Sequence, residues 1–123
     1  MVETDPATAM KAHIRAELVT AMRAKQSLKV AALRTVLAAL DNAESVPIET
    51  QHQPYQSHAF GDPRTEVPRR ILTADEVQTL VMAEITKRRE AADQMDQLGQ
   101  SPQAEQLREE ALVLEILTQG SAA

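Results

Sequence analysis

Cysteine and tryptophan are absent from the 123 residues, and the aromatic side chains end at Tyr55 and Phe60. Without cysteine, neither a disulfide framework nor a thiolate metal site can form. Glycine occurs only at Gly61, Gly99 and Gly120, so a glycine-rich phosphate loop is excluded. A nucleophile elbow and a paired-histidine helix motif are missing as well. No apolar run is long enough to span a bilayer. Glu3, Asp5, Lys11, Arg15 and Glu17 interrupt the first twenty residues, which rules out a secretory signal of the usual form. The expectation is a cytoplasmic protein that needs no cofactor and meets no membrane.

What is present is aliphatic and charged. Leu, Val, Ile, Met and Ala must fill the core, and they suit closely approaching helices better than strands, which draw on β-branched and aromatic residues. The length fits one domain. An all-α fold is expected, a small bundle of two helical hairpins with a long irregular connector between them. Net charge is −5 and unevenly spread. The first 44 residues are nearly balanced, whereas residues 73–123 hold ten acidic side chains against four basic ones. That distribution argues against a general binder of phosphate backbones, which works by releasing counterions to clustered cations.

The chain is organised around Thr73–Leu98. Thr73 and Glu76 have capping-box spacing, and Gly99 offers a left-handed stop. Between them Val77, Leu80, Val81, Ile85, Arg88, Ala92, Met95 and Leu98 recur every three or four residues, one stripe of a 3.6-residue period. Ahead of it, Asp5-Pro6 opens a first helix to about Lys25, with Met10, Ile14, Leu18, Ala21 and Met22 inward. His13 reads as structural, since no second metal-type side chain stands at a chelating spacing. Ser27 is expected to cap a second helix from Leu28 to about Ala43, whose seam is Val30, Leu33, Leu37 and Leu40. Arg34 lies at its edge, its stem on apolar surface and its head solvated. Residues 1–44 thus make a hairpin.

Periodicity stops in residues 45–72, where Pro47, Pro54, Pro63 and Pro68 remove backbone donors. His52, His58 and Asp62 make a poor metal site beside the three or four rigidly held ligands that zinc wants. Anchoring by Tyr55, Phe60, Val67 and Ile71 explains the segment better. After Gly99, Ser101 and Pro102 start a last helix with Ala104, Leu107, Ala111, Leu114 and Leu117 inward. Residues 73–119 form the second hairpin. Leu112, Val113 and Ile116 leave surplus apolar surface on another side, a candidate interface for a protein partner or for self-association.

Arg69, Arg70, Lys87 and Arg89 are the basic residues bracketing the central helix, and hence the candidate contact for tRNA or a tRNA-bound protein. Arg88, between two of them, turns toward the apolar stripe. Ion pairs Glu84–Arg88 and Arg89–Asp93 follow from their four-residue spacing. No residue is expected to be catalytic and none to bind a metal.

Two groups of segments carry a family resemblance. Ala21-Met-Arg-Ala-Lys25 and Ala32-Leu-Arg-Thr-Val-Leu-Ala-Ala-Leu-Asp-Asn-Ala-Glu44 form the first. Leu72-Thr-Ala-Asp-Glu-Val77, Glu84-Ile-Thr-Lys-Arg-Arg-Glu-Ala-Ala92, Leu98-Gly99 and Ala104-Glu-Gln-Leu-Arg-Glu-Glu-Ala-Leu-Val-Leu-Glu-Ile-Leu117 form the second. In order and spacing they resemble the GatB/YqeY family, in a short actinobacterial-type form. The resemblance implies a helical module akin to the tail of the B subunit of the tRNA-dependent amidotransferase, whose catalytic centres lie elsewhere. The family-level activity it implies is that of a carbon–nitrogen ligase with glutamine as amide donor.

Overall fold

The computed structural model describes residues 5–45 and 70–121, apart from the side chains of the last two. Four helices follow one another: α1 (Pro6–Arg23), α2 (Ser27–Ser45), α3 (Ala74–Gln97) and α4 (Ser101–Ser121). No strand occurs among the described residues. The expected anchors Tyr55, Phe60 and Val67, the candidate cation Arg69, and His52, His58 and Asp62 lie outside them.

Each helix start has a local cause. The Asp5 carboxylate accepts from the Thr8 amide at 2.9 Å, with Pro6 in the first turn of α1. At α3 the capping box is complete: the Glu76 amide donates to Thr73 Oγ1 at 3.1 Å and the Thr73 amide to Glu76 Oε1 at 2.9 Å. Ser27 and Ser101 are already helical, one residue earlier than their expected capping role. Instead Gln26 O accepts from the Val30 amide and Gln100 O from the Ala104 amide, both at 3.0 Å.

The two hairpin turns share one design. In the first, the Lys25 amide reaches Met22 O and the Gln26 amide reaches Ala21 O. In the second, the Gly99 amide reaches Asp96 O and the Gln100 amide reaches Met95 O. Both are Schellman stops with one left-handed residue, Gly99 at φ 75° and, unusually, Lys25 at φ 59°. Each glutamine serves both as the last donor of one helix stop and as the carbonyl that opens the next helix.

The core is aliphatic throughout. Ala7, Met10, Ile14 and Leu18 of α1 meet Ala32, Leu33, Val36 and Leu40 of α2, Val77, Val81 and Ile85 of α3, and Ala111, Leu114 and Leu117 of α4. Each fully buried Leu or Ile contributes on the order of 1.5–3 kcal/mol. The most extensive helix–helix packing joins α3 to α4. Three details depart from the expected seams. Met22 and Leu98 are exposed, the first in the last turn of α1 and the second at the C-cap of α3. Val36 is buried in place of the half-buried Leu37. Leu72, just before the α3 cap, is buried in the core, while Ile71, the expected anchor, is 74% exposed.

Candidate functional site

At the end of the bundle where α2 finishes and α3 begins, Lys11 of α1 is largely buried against α2. Its ammonium donates to Asp41 Oδ1 at 3.1 Å and to the Glu44 carboxylate, which is itself buried. The Glu44 hydrogen bond holds the lysine above its usual range against the opposing effect of burial, and Asp41 adds to it. The Glu44 backbone carbonyl also accepts from the Arg70 amide at 2.8 Å, which fixes the approach to α3 beside the end of α2. The Arg70 guanidinium pairs with Glu76. Glu76 is held below the usual carboxylate range, first by the Thr73 amide and then by Arg70. Between these groups lies an open polar cleft of 550 Å³ lined by Asp5, Lys11, Arg15, Asp41, Glu44 and Arg70. Its three acids and three bases balance, so it offers no net charge to an ionic ligand.

The middle of the α3–α4 hairpin is held by charge. Buried Arg88 donates from Nη1 to Glu84 Oε1 at 2.7 Å and from Nε to Glu110 Oε1 at 2.9 Å. The Glu84 pair follows the four-residue spacing, but it is buried and shared with a second helix. Arg89 does not pair with Asp93; it pairs with Glu115 across the hairpin. Asp93 instead accepts from Arg108 at 3.1 Å, and Asp96 accepts from the same guanidinium at 2.6 Å. Asp96 and then Asp93 raise Arg108 above the usual arginine range. Spacing within one helix gave no sign of the links to Glu110, Glu115 and Arg108. Arg88 and Glu110 lie equally far from Gly99 on either side, the geometry of facing positions in an antiparallel pair.

Of the candidate cations, Arg70, Lys87 and Arg89 are therefore each engaged, with Glu76, Glu84 and Glu115 respectively. They do not form one patch: Arg70 lies before α3, and the other two are about four helical turns along it. The candidate apolar face divides. Leu112 is 54% and Ile116 58% exposed, while Val113 is half-buried against the core. Ile116, Val113 and Leu117 of α4 line a small, mainly apolar cleft of 280 Å³ with His13 and Glu17 of α1 and Lys29 and Leu33 of α2. His13 is thus a wall of that cleft. Among the described residues no group of three histidine, aspartate or glutamate side chains is placed to hold a metal ion. No described helix is long and apolar enough to cross a membrane. Compared with protein-family models, curated proteins and solved structures, the chain matches none.

Proposed function

We propose that this protein is a non-catalytic helical accessory module of the kind the GatB/YqeY resemblance implies, acting by protein contact in support of a tRNA-dependent amidotransferase or a related RNA-bound enzyme. In that reading the carbon–nitrogen ligase activity with glutamine as amide donor belongs to the enzyme served. The architecture of two antiparallel helical hairpins supports the resemblance. The observation that carries the reading is the α4 face, where Leu112 and Ile116 stand more than half exposed one helical turn apart. Adjacent exposed apolar side chains gain from being covered, which is what a contact surface supplies.

Contact with tRNA through Arg69, Arg70, Lys87 and Arg89 is the second reading, favoured by the 71% exposure of the Lys87 side chain. Against it, each described member already faces a carboxylate, so a phosphate would have to displace an internal partner and would release fewer counterions. Photo-reactive residues introduced at 112 and 116 are expected to trap one defined protein species in cells, another copy of this chain included, while the same group at exposed Gln103 traps none. Equal adducts at all three positions, or none at any, would retire the first reading. In a tRNA titration over a salt series, an Arg70→Ala/Lys87→Ala/Arg89→Ala variant is expected to behave as wild type. A loss of about tenfold or more with a shallower salt slope would favour the second.

A further inference from the structure

Two exposed stripes of this bundle have apolar centres and opposite charge. On α4, a rotation of about 100° per residue puts Glu105, Glu109, Leu112 and Ile116 on one narrow face, and all four are exposed. Neither Glu105 nor Glu109 stands in an ion pair among the described residues. On α1 the corresponding spacing gives Arg15, Val19 and Met22, with Val19 and Met22 about half exposed. That stripe continues over the first turn, where Met22, Lys25, Val30, Ala31 and Arg34 line an open hollow of 450 Å³. Arg34 Nη2 lies 3.9 Å from Met22 Sδ. Arg15, Arg23, Lys25 and Arg34 make no ion pair with a described carboxylate, in contrast to Lys11, Lys29, Arg70, Lys87, Arg88, Arg89 and Arg108. Among the described cations, most of which are neutralised internally, these four are the ones left available.

The stripes cannot satisfy each other within one molecule. The flank of α1 that approaches α4 carries His13 and Glu17, which share the small cleft with Ile116. Arg15, Val19 and Met22 lie on the other flank. We infer that the α1 stripe and first turn of one copy dock on the α4 stripe of a second copy. The inference rests on reading α4 as a contact face and names its occupant. An antiparallel alignment sets Val19 and Met22 against Ile116 and Leu112 and brings Lys25 and Arg34 to Glu109 and Glu105. A parallel one would offer those acids only Arg15. Because the two surfaces differ, a reciprocal pair of contacts closes a twofold dimer, whereas a single head-to-tail contact propagates.

Light scattering on the full purified chain tests this. The mass is expected to rise with concentration from the 13.5 kDa of one copy to at least twice that. The apparent affinity is expected to fall about tenfold or more between roughly 0.05 and 0.5 M salt. Lys25→Glu/Arg34→Glu and Glu105→Lys/Glu109→Lys are each expected to remain at the single-copy mass. Their substitutions are all on exposed side chains, so helix content by circular dichroism should match wild type. An equimolar mixture of the two variants is expected to associate again, since each then presents a stripe opposite in charge to one on the other. Three results would overturn the inference: a wild-type chain at single-copy mass at every concentration, association indifferent to both reversals, or a mixture that stays dissociated. A wild-type chain that stays single while residue 112 still traps a different protein would leave the α4 contact face standing with another occupant. Loss of both signals would remove both.

Discussion

Arg88 occupies a position in the repeat of α3 that otherwise holds Val81, Ile85 and Ala92, and it is buried as they are. A guanidinium survives there because Glu84 and Glu110 accept its hydrogen bonds and balance its charge, and the stem packs as a hydrocarbon. Removing one partner from such a cluster costs far more than replacing all of it. Arg88→Ala is expected to lower stability by about 3–5 kcal/mol, because it leaves Glu110 without a partner and Glu84 with only the exposed Lys87. Combined replacement by Met at 88 and Gln at 84 and 110 is expected to stay within about 2 kcal/mol of wild type. Urea unfolding of the two variants checks both figures, and equal losses would mean that the cluster is hydrated. The inward turn of Arg88 and its bond to Glu84 were legible from helical spacing. Glu110 was not, because its approach depends on how two helices slide past each other.

At the scale of elements, the two hairpin turns have the same hydrogen bonds with different residues at the left-handed position. Gly99 accepts φ 75° without cost, and no atom lies within 4 Å of where its Cβ would stand. Gly99→Ala is therefore expected to lose about 1 kcal/mol through backbone strain alone. Lys25 bears that strain already, so Lys25→Gly is expected to gain up to about 1 kcal/mol, less the greater freedom of glycine in the unfolded chain. Opposite shifts of the two urea midpoints are the outcome sought; a loss at both positions would contradict a left-handed Lys25. Helix number, order and type could be read from apolar spacing and capping residues, and Gly99 from its type. Lys25 could not, since lysine gives no hint of positive φ. The serines expected as caps were displaced one residue because the stop before each helix hands its last donor to glutamine.

For the whole molecule, titration follows from groups placed at opposite ends of the pH scale. Asp5 and Glu76 have folded-state values below their ordinary ones, the first because of the Thr8 amide and the second because of the Thr73 amide. Their contribution is present above the unfolded carboxylate range and is lost as pH falls through the lower folded values. Lys11 is raised by Glu44, so its contribution is complete below the unfolded lysine range and is lost as pH climbs through the higher folded value. A plateau of stability through neutral pH is expected, falling on both sides. Glu76→Gln should flatten the acid limb and Lys11→Met the alkaline one, as read from thermal midpoints across pH. A Glu76→Gln acid limb as steep as wild type would remove that carboxylate from the account. The amino-acid order alone determined four amphipathic helices, two antiparallel hairpins, an aliphatic interior and the α4 seam, because those features are encoded in spacings of three and four residues along a single helix. Only the tertiary structure decided that Lys11 meets Glu44, that Arg89 pairs with Glu115 and Asp93 with Arg108, that Leu72 enters the core, and that Leu112 and Ile116 stay outside while Val113 turns in. Those outcomes depend on the register between helices distant in the chain, and repeat spacing carries no information about that register.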